Sequence, residues 1–346
     1  LARGFAIAVT LSMVDVILSP GHDAAVIAPR GHQVALASEV SPSRWAPLPA
    51  PDQVWAHSCC SGSKLRDALA NETVTAIEAD VQVGTFISDG GHSCTQVIMA
   101  HPPIRSSDLS LEMFLDACMK DGRRHLKFDF KSLEAALLSL PILAAVRSRL
   151  AESGQAVWLN ADVLPGPGFR ASPAAIPAED FLSAVASHCP GAHLSLGWSV
   201  NPMVPAAYTH EDCTAMRALC RAHANRVGAM GGGMVLAVSA RLASRAPGPL
   251  AALLGELPGS QLLMWTGTWE PPVRDSVAAN LQASFERLGV GKRCGYDCKV
   301  LGESPLVKAM KKAMIGHATT FKDWLLFSLS VLVKLRAAPL SLSWMQ

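Results

Sequence analysis

Glu78 and Asp80 stand one residue apart in Ala76-Ile-Glu-Ala-Asp-Val81. Side chains alternate along an extended strand, so these carboxylates share one face while Ile77, Ala79 and Val81 share the other. Two like charges on an apolar strand are costly to bury unless a cation or hydrogen-bond donors compensate, so the pair suits a hard metal ion or acid/base chemistry. The same period of two recurs in His125-Leu-Lys-Phe-Asp-Phe-Lys131, where Lys127, Asp129 and Lys131 share a face. It recurs again in Val157-Trp-Leu-Asn-Ala-Asp162, which places Asn160 with Asp162.

His57 ends an apolar run that begins at Val54, and His101 ends Val97-Ile-Met-Ala-His101. Imidazole titrates near neutral pH, so two histidines beside a cluster of carboxylates suit a general acid and a general base around a metal-bound phosphate. Glu78, Asp80 and Asp129 form the expected metal site, and their all-oxygen chemistry favours Mg²⁺ or Ca²⁺ over zinc or copper. Lys131 would bring an ammonium to the same anion. Lys127 lies one strand step deeper and reads as a structural partner for a carboxylate. Trp198 and Trp265 end two further apolar runs and are candidate walls of a substrate pocket, together with Asn160 and Asp162. Gly231-Gly-Gly233 lacks the Lys-Ser/Thr of a phosphate-binding loop and reads as a plain loop.

These residues need strands to hold them. Strand-like runs fall at 54–58, 75–83, 97–101, 125–131, 156–161, 193–198, 234–239, 261–266 and 295–298, and amphipathic helical stretches include 111–119, 133–150, 178–188 and 211–224. Alternating strand and helix predicts a parallel sheet. Ser88-Asp-Gly-Gly91 carries hairpin chemistry, which folds the run at 97–101 back on its predecessor and leaves eight strands. Eight is the number that closes a (β/α)8 TIM barrel, whose strand ends carry the chemistry. An open doubly wound sheet shares the alternation, and closure of the last strand on the first separates the two.

The 346 residues accommodate one barrel of about 250 residues with tails. Half the residues are hydrophobic and 17% charged, which suits a large core and excludes extensive disorder. A net charge of +2 without a basic stripe gives no case for a nucleic-acid partner. The nine cysteines include no Cys-x-x-Cys pair, which disfavours zinc, and most are expected to be small buried hydrophobes.

The expected organisation is a targeting-like segment and linker over 1–52, a barrel over 53–300 and a helical tail over 301–346. The apolar run at 5–13 has the length of a signal-peptide core, which favours secretion or the secretory pathway, with a hydrophobic N-terminal helix and a cytoplasmic location as the alternative; Asn71-Glu-Thr73 is a glycosylation sequon only in the secretory case. The run at 324–333 is too short to span a bilayer.

Several blocks, in order, resemble the menorin family: Ile77-Glu-Ala-Asp-Val81, Ile98-Met-Ala-His-Pro-Pro103, Ser107-Asp-Leu109, Lys127-Phe-Asp-Phe-Lys-Ser-Leu-Glu134, Trp158-Leu-Asn-Ala-Asp-Val-Leu-Pro-Gly166, Ser195-Leu-Gly-Trp198 and Trp265-Thr-Gly267. Menorin-like proteins in turn resemble the phospholipase C-like phosphodiesterase superfamily of (β/α)8 barrels, which includes glycerophosphodiester phosphodiesterases and the sphingomyelinase D toxins. The resemblance implies catalytic roles for His57 and His101, metal binding by Glu78 and Asp80, and completion of the site by Asp129 and Lys131. The implied substrate is a phosphodiester or lysophospholipid-like small molecule. The chain departs from the pattern in two ways. Ser58 and Cys59 follow His57 where glycerophosphodiester phosphodiesterases have Arg-Gly, and Cys60 stands where menorins usually have Asn. The family also includes animal proteins that act outside cells in neuronal patterning. A non-catalytic barrel working through extracellular protein partners is therefore the alternative expectation.

Overall fold

The structure is a computed structural model that describes residues 45–301 except 173, 224–232 and 268–269. The apolar runs at 5–13 and 324–333, most of the linker and the expected helical tail lie outside the described residues, as do Gly231 and Gly232.

In chain order the strands are β1 (Trp55–Ala56), β2 (Ala76–Ile87), β3 (Ser93–Met99), β4 (Ser106–Ser107), β5 (His125–Phe130), β6 (Val157–Pro165), β7 (His193–Ser199), β8 (Met234–Ser239), β9 (Gln261–Trp265), β10 (Val273–Arg274), β11 (Cys294–Asp297) and β12 (Val300–Leu301). Eight of them pair in parallel in the order β1-β2-β5-β6-β7-β8-β9-β11. The helices are α1 (Gly62–Ala70), α2 (Leu111–Asp121), α3 (Leu133–Glu152), α4 (Ala178–His188), α5 (His210–Ala222), α6 (Ala240–Ala243), α7 (Pro247–Glu256) and α8 (Asp275–Arg287). This is the expected α/β barrel of TIM type. It is nearly closed: β11 and β1 form no ladder among the described residues, and side chains bridge them instead.

The hairpin forms as expected, with β3 antiparallel to β2 and His101 just beyond it, but both arms are longer than the sequence pattern gave. Thr85, Phe86 and Ile87 are β-branched or aromatic and extend the pleat beyond Val83. Gly91, at φ 76°, turns the chain in a conformation that other residues seldom adopt.

Helix starts follow their capping residues. Ser110 and Ser132 accept the N–H of the third residue beyond, and Thr209 with Asp212 forms a reciprocal capping box. The outward faces of the strands meet these helices in the main core, where Ile77, Ala79, Leu126, Phe128, Leu159 and Leu196 are fully buried.

The inward faces fill the barrel in tiers. At the N-terminal end Trp55, Trp158, Val235 and Leu263 pack with Ala46, and the two indoles meet edge to face at 5.3 Å. The described part of the linker, 45–52, is packed across this floor. Trp45 Nε1 donates to the Pro190 carbonyl at 3.2 Å, and His193 Nε2 lies 2.8 Å from the Ala46 carbonyl. With the floor plugged, polar chemistry is left to the C-terminal mouth. Among the described residues no helix is long and apolar enough to cross a membrane.

Candidate active site

Strand register converts the sequence pattern into a cluster. Glu78 and Asp80 of β2 face inward beside Lys127 and Asp129 of β5, with Asp80 level with Asp129. Asn160 of β6 is level with Asp129. Glu78, Asp80 and Asp129 each offer a carboxylate oxygen within 4.8 Å of the others. Each already has compensating groups. Lys131 Nζ stands 2.7 Å from Asp80 Oδ1 and 2.8 Å from Asp129 Oδ2. Asn160 Nδ2 donates to Asp129 at 2.7 Å, and Ser195 Oγ donates to Asn160 Oδ1 at 2.6 Å, so a polar ladder crosses three strands.

Glu78 Oε2 accepts the Ser58 N–H at 2.7 Å and lies 3.3 Å from His57 Nδ1. Ser58 has φ 54°, a strained value for a serine, and that turn after β1 aims its amide at the carboxylate. Glu78 Oε1 is buried without a hydrogen-bond partner. An orphaned carboxylate oxygen beside two further carboxylates is the donor set that a hard divalent cation satisfies. Cys60 places its thiol 3.3 Å from Asp80 Oδ2, so this departure from the family pattern keeps a weak donor on the same carboxylate.

The two histidines differ. His57 Nδ1 lies 2.7 Å from Asp297 Oδ2. Burial alone would push its pKa down, but the Asp297 and Glu78 carboxylates outweigh that and raise it to about 9. His101 Nδ1 is 2.5 Å from the Pro102 carbonyl. A carbonyl only accepts, so Nδ1 carries the proton and Nε2 is the basic nitrogen.

The carboxylates diverge as well. Burial raises Glu78, to about 7, despite the opposing charge of His57. Burial also works against ionisation of Asp80, but Lys131 and His101 overcome it and hold the group at about 2. Asp162 is raised to about 7 by burial and then by Asp129. Lys131 is pushed well above its ordinary value: burial opposes its charge, and Asp129 and Asp80 more than compensate.

His57, His101, Asp80, Asp129, Lys131 and Trp265 line one cavity of about 200 Å³, which Asn160 and Asp162 also reach. Gly197, level with Asp162, leaves room for it, because a Cβ there would collide with Asp162 Oδ1. The structure thus brings together every residue picked from the sequence for metal binding or proton transfer, and three of the four picked for substrate binding.

Trp198 is the exception and a correction. It lies three residues past inward-facing Ser195, so strand parity turns it outward, where its ring packs on Tyr208 at 5.3 Å and is 1% exposed. Lys127 is a second correction. It was expected to pair with a carboxylate, and it is level with Glu78, but Glu78 turns to Ser58 and His57 instead. Among the described residues Lys127 makes no side-chain hydrogen bond and no ion pair, and it lines the cavity. Two residues at the site were not anticipated, Asp297 and Ser58. Asp297 was legible in principle, since it ends the last apolar run with the inward parity of Trp265.

A family model for the Menorin N-terminal domain matches residues 52–287. The human protein FAM151B is 32% identical over 216 residues, which is 62% of this chain and 72% of that protein. Among solved structures, a glycerophosphodiester phosphodiesterase from Parabacteroides distasonis has a TM-score of 0.35 at 13% identity, covering 77% of this chain and 98% of its own. A D-allulose 3-epimerase from Methylomonas sp. has a TM-score of 0.33 at 14% identity, covering 75% and 74%. At those scores neither likeness bears on chemistry, and the barrel rests on its own strand order and register.

Proposed function

The chain belongs to the menorin family, and from that premise we propose that it is a metal-dependent phosphodiesterase in which two histidines move protons across a phosphodiester. The observation that carries this reading is the meeting of His57, His101 and an acidic cluster at one cavity of about 200 Å³. Glu78, Asp80 and Asp129 would hold Mg²⁺ or Ca²⁺, with the unpartnered Glu78 Oε1 as a ready ligand atom. Bound there, the ion supplies neutralising charge for a phosphoryl oxygen.

The rest is the work of this chain's residues. His101, protonated on Nδ1 by its bond to Pro102, presents Nε2 as the base that takes a proton from the attacking hydroxyl of water or of the substrate itself. His57, held as an imidazolium by Asp297 and Glu78, donates a proton to the oxygen that leaves phosphorus. Lys131 keeps Asp80 and Asp129 in register and adds a fixed positive charge beside the phosphate. Trp265 walls the cavity. A glycerophosphodiester or a lysophospholipid supplies the required group.

His101→Ala should lower turnover of a glycerophosphodiester by about 10²- to 10⁴-fold. A His101→Ala chain as active as the parent removes the assignment. If no diester or lysophospholipid is turned over by the parent with either ion, the reading gives way to that of a barrel that binds protein partners without chemistry.

A further inference from the structure

Lys127 is 2% exposed, lines the cavity, and its side chain makes no hydrogen bond or ion pair among the described residues. An ammonium that faces a small cavity without a hydrogen-bonding partner is poorly satisfied, and such a group is retained where a ligand supplies the missing contact. We propose that Lys127 forms an anion-binding subsite beside Glu78 and beneath Asp80 and Asp129, which receives a second oxyanion of the substrate, so that the preferred phosphodiester carries another phosphate or carboxylate. This rests on the phosphodiesterase reading for its substrate, but not for its binding test.

The Lys127 charge acts on Glu78 and Asp162 but closes no hydrogen bond or ion pair with either. Asp80 and Asp129 are held by Lys131, and Asp129 also by Asn160. Glu78 is held by the Ser58 amide and by His57, and Asp297 by His57. Asp162 is the remaining carboxyl at the cavity, and it makes no ion pair with Lys127. Lys127 precedes Asp129 by two residues on β5, so its backbone sits about 7 Å below that of Asp80 and Asp129 and level with that of Glu78. A substrate whose phosphodiester rests at the mouth would reach it with the group that enters deepest. A cationic head group would meet this ammonium instead and be rejected.

Inorganic phosphate is the probe, titrated calorimetrically into the full chain in EDTA and again with Mg²⁺. In EDTA the parent should bind it saturably, Lys127→Met should bind at least about tenfold more weakly, and Asp162→Asn should bind more tightly by losing the competing charge. Equal affinity in the parent and Lys127→Met, or no saturable binding by the parent, overturns the proposal whether or not the protein is an enzyme. Should Lys127→Met fail to fold, phosphate must slow acetylation of Lys127 by acetic anhydride in the parent, read by peptide mass, and no protection counts against the subsite. For turnover, a glycerophosphodiester bearing a terminal phosphate should have a KM about tenfold below that of the same diester without it. That ratio should collapse in Lys127→Met, and a ratio near one in the parent contradicts the substrate class.

Discussion

Nδ1 of His57 lies 2.7 Å from Oδ2 of Asp297, across 240 residues of sequence. This bond joins the first barrel strand to the last where no backbone ladder does so among the described residues. It also fixes which ring nitrogen faces the carboxylate and supplies much of the charge that keeps the imidazole protonated.

Asp297→Asn keeps the shape and removes that charge. The alkaline limb of the kcat/KM profile should move to lower pH by on the order of one unit, because an opposite charge at contact distance is worth at least that much. The melting temperature should fall too, by the loss of a charge-assisted bond of about 1.5–3 kcal/mol. An unmoved alkaline limb would mean that His57 is not the acid.

Without metal, stability should decline as pH rises through neutrality. Glu78 and Asp162 are each raised to about 7 in the fold, from ordinary values of 4.5 and 3.8. A carboxyl raised in the folded state contributes stability that is complete below its unfolded pKa and lost as pH rises through the folded one. His57, raised to about 9, acts in the same direction at higher pH, and Asp80, lowered to about 2, matters only in acid. Melting curves in EDTA from pH 5 to 8 should therefore descend, by on the order of 2 kcal/mol per raised carboxyl. Glu78→Gln should flatten the descent, and a flat profile in the parent would refute the buried-carboxylate account.

Lys131 and a divalent ion compete for the same carboxylate oxygens. Lys131→Met should cost about 3 kcal/mol in urea unfolding with EDTA, since it strands two partly buried carboxylates. Mg²⁺ or Ca²⁺ should then restore more stability than it adds to the parent. If the ions stabilise parent and variant equally, Asp80 and Asp129 are not their ligands.

Strand parity made much of this site legible. A period of two placed Glu78 with Asp80, Asp129 with Lys131 and Asn160 with Asp162, and the register lines these pairs up. The same rule, counted from Ser195, turns Trp198 outward, so its place at a strand end does not make it a pocket wall. Lys127 is not decided by parity alone. Which partner a carboxylate takes depends on loops as well as strands, and the Ser58 turn competes for Glu78 in a way that strand spacing does not encode. Asp297 carries little signal in the sequence, because β11 has only four residues and offers no second charged group on its inner face. Its meaning arises only when the barrel brings it beside His57.

Turnover of a glycerophosphodiester by the parent chain and by the Glu78→Gln, Asp80→Asn double variant, each with Mg²⁺, with Ca²⁺ and in EDTA, tests the central claim most directly. The parent should be active with at least one ion and silent in EDTA, and the double variant should be at least about 10²-fold slower under every condition. Equal rates with and without metal, or equal rates in parent and variant, would contradict a metal-dependent site built on these carboxylates.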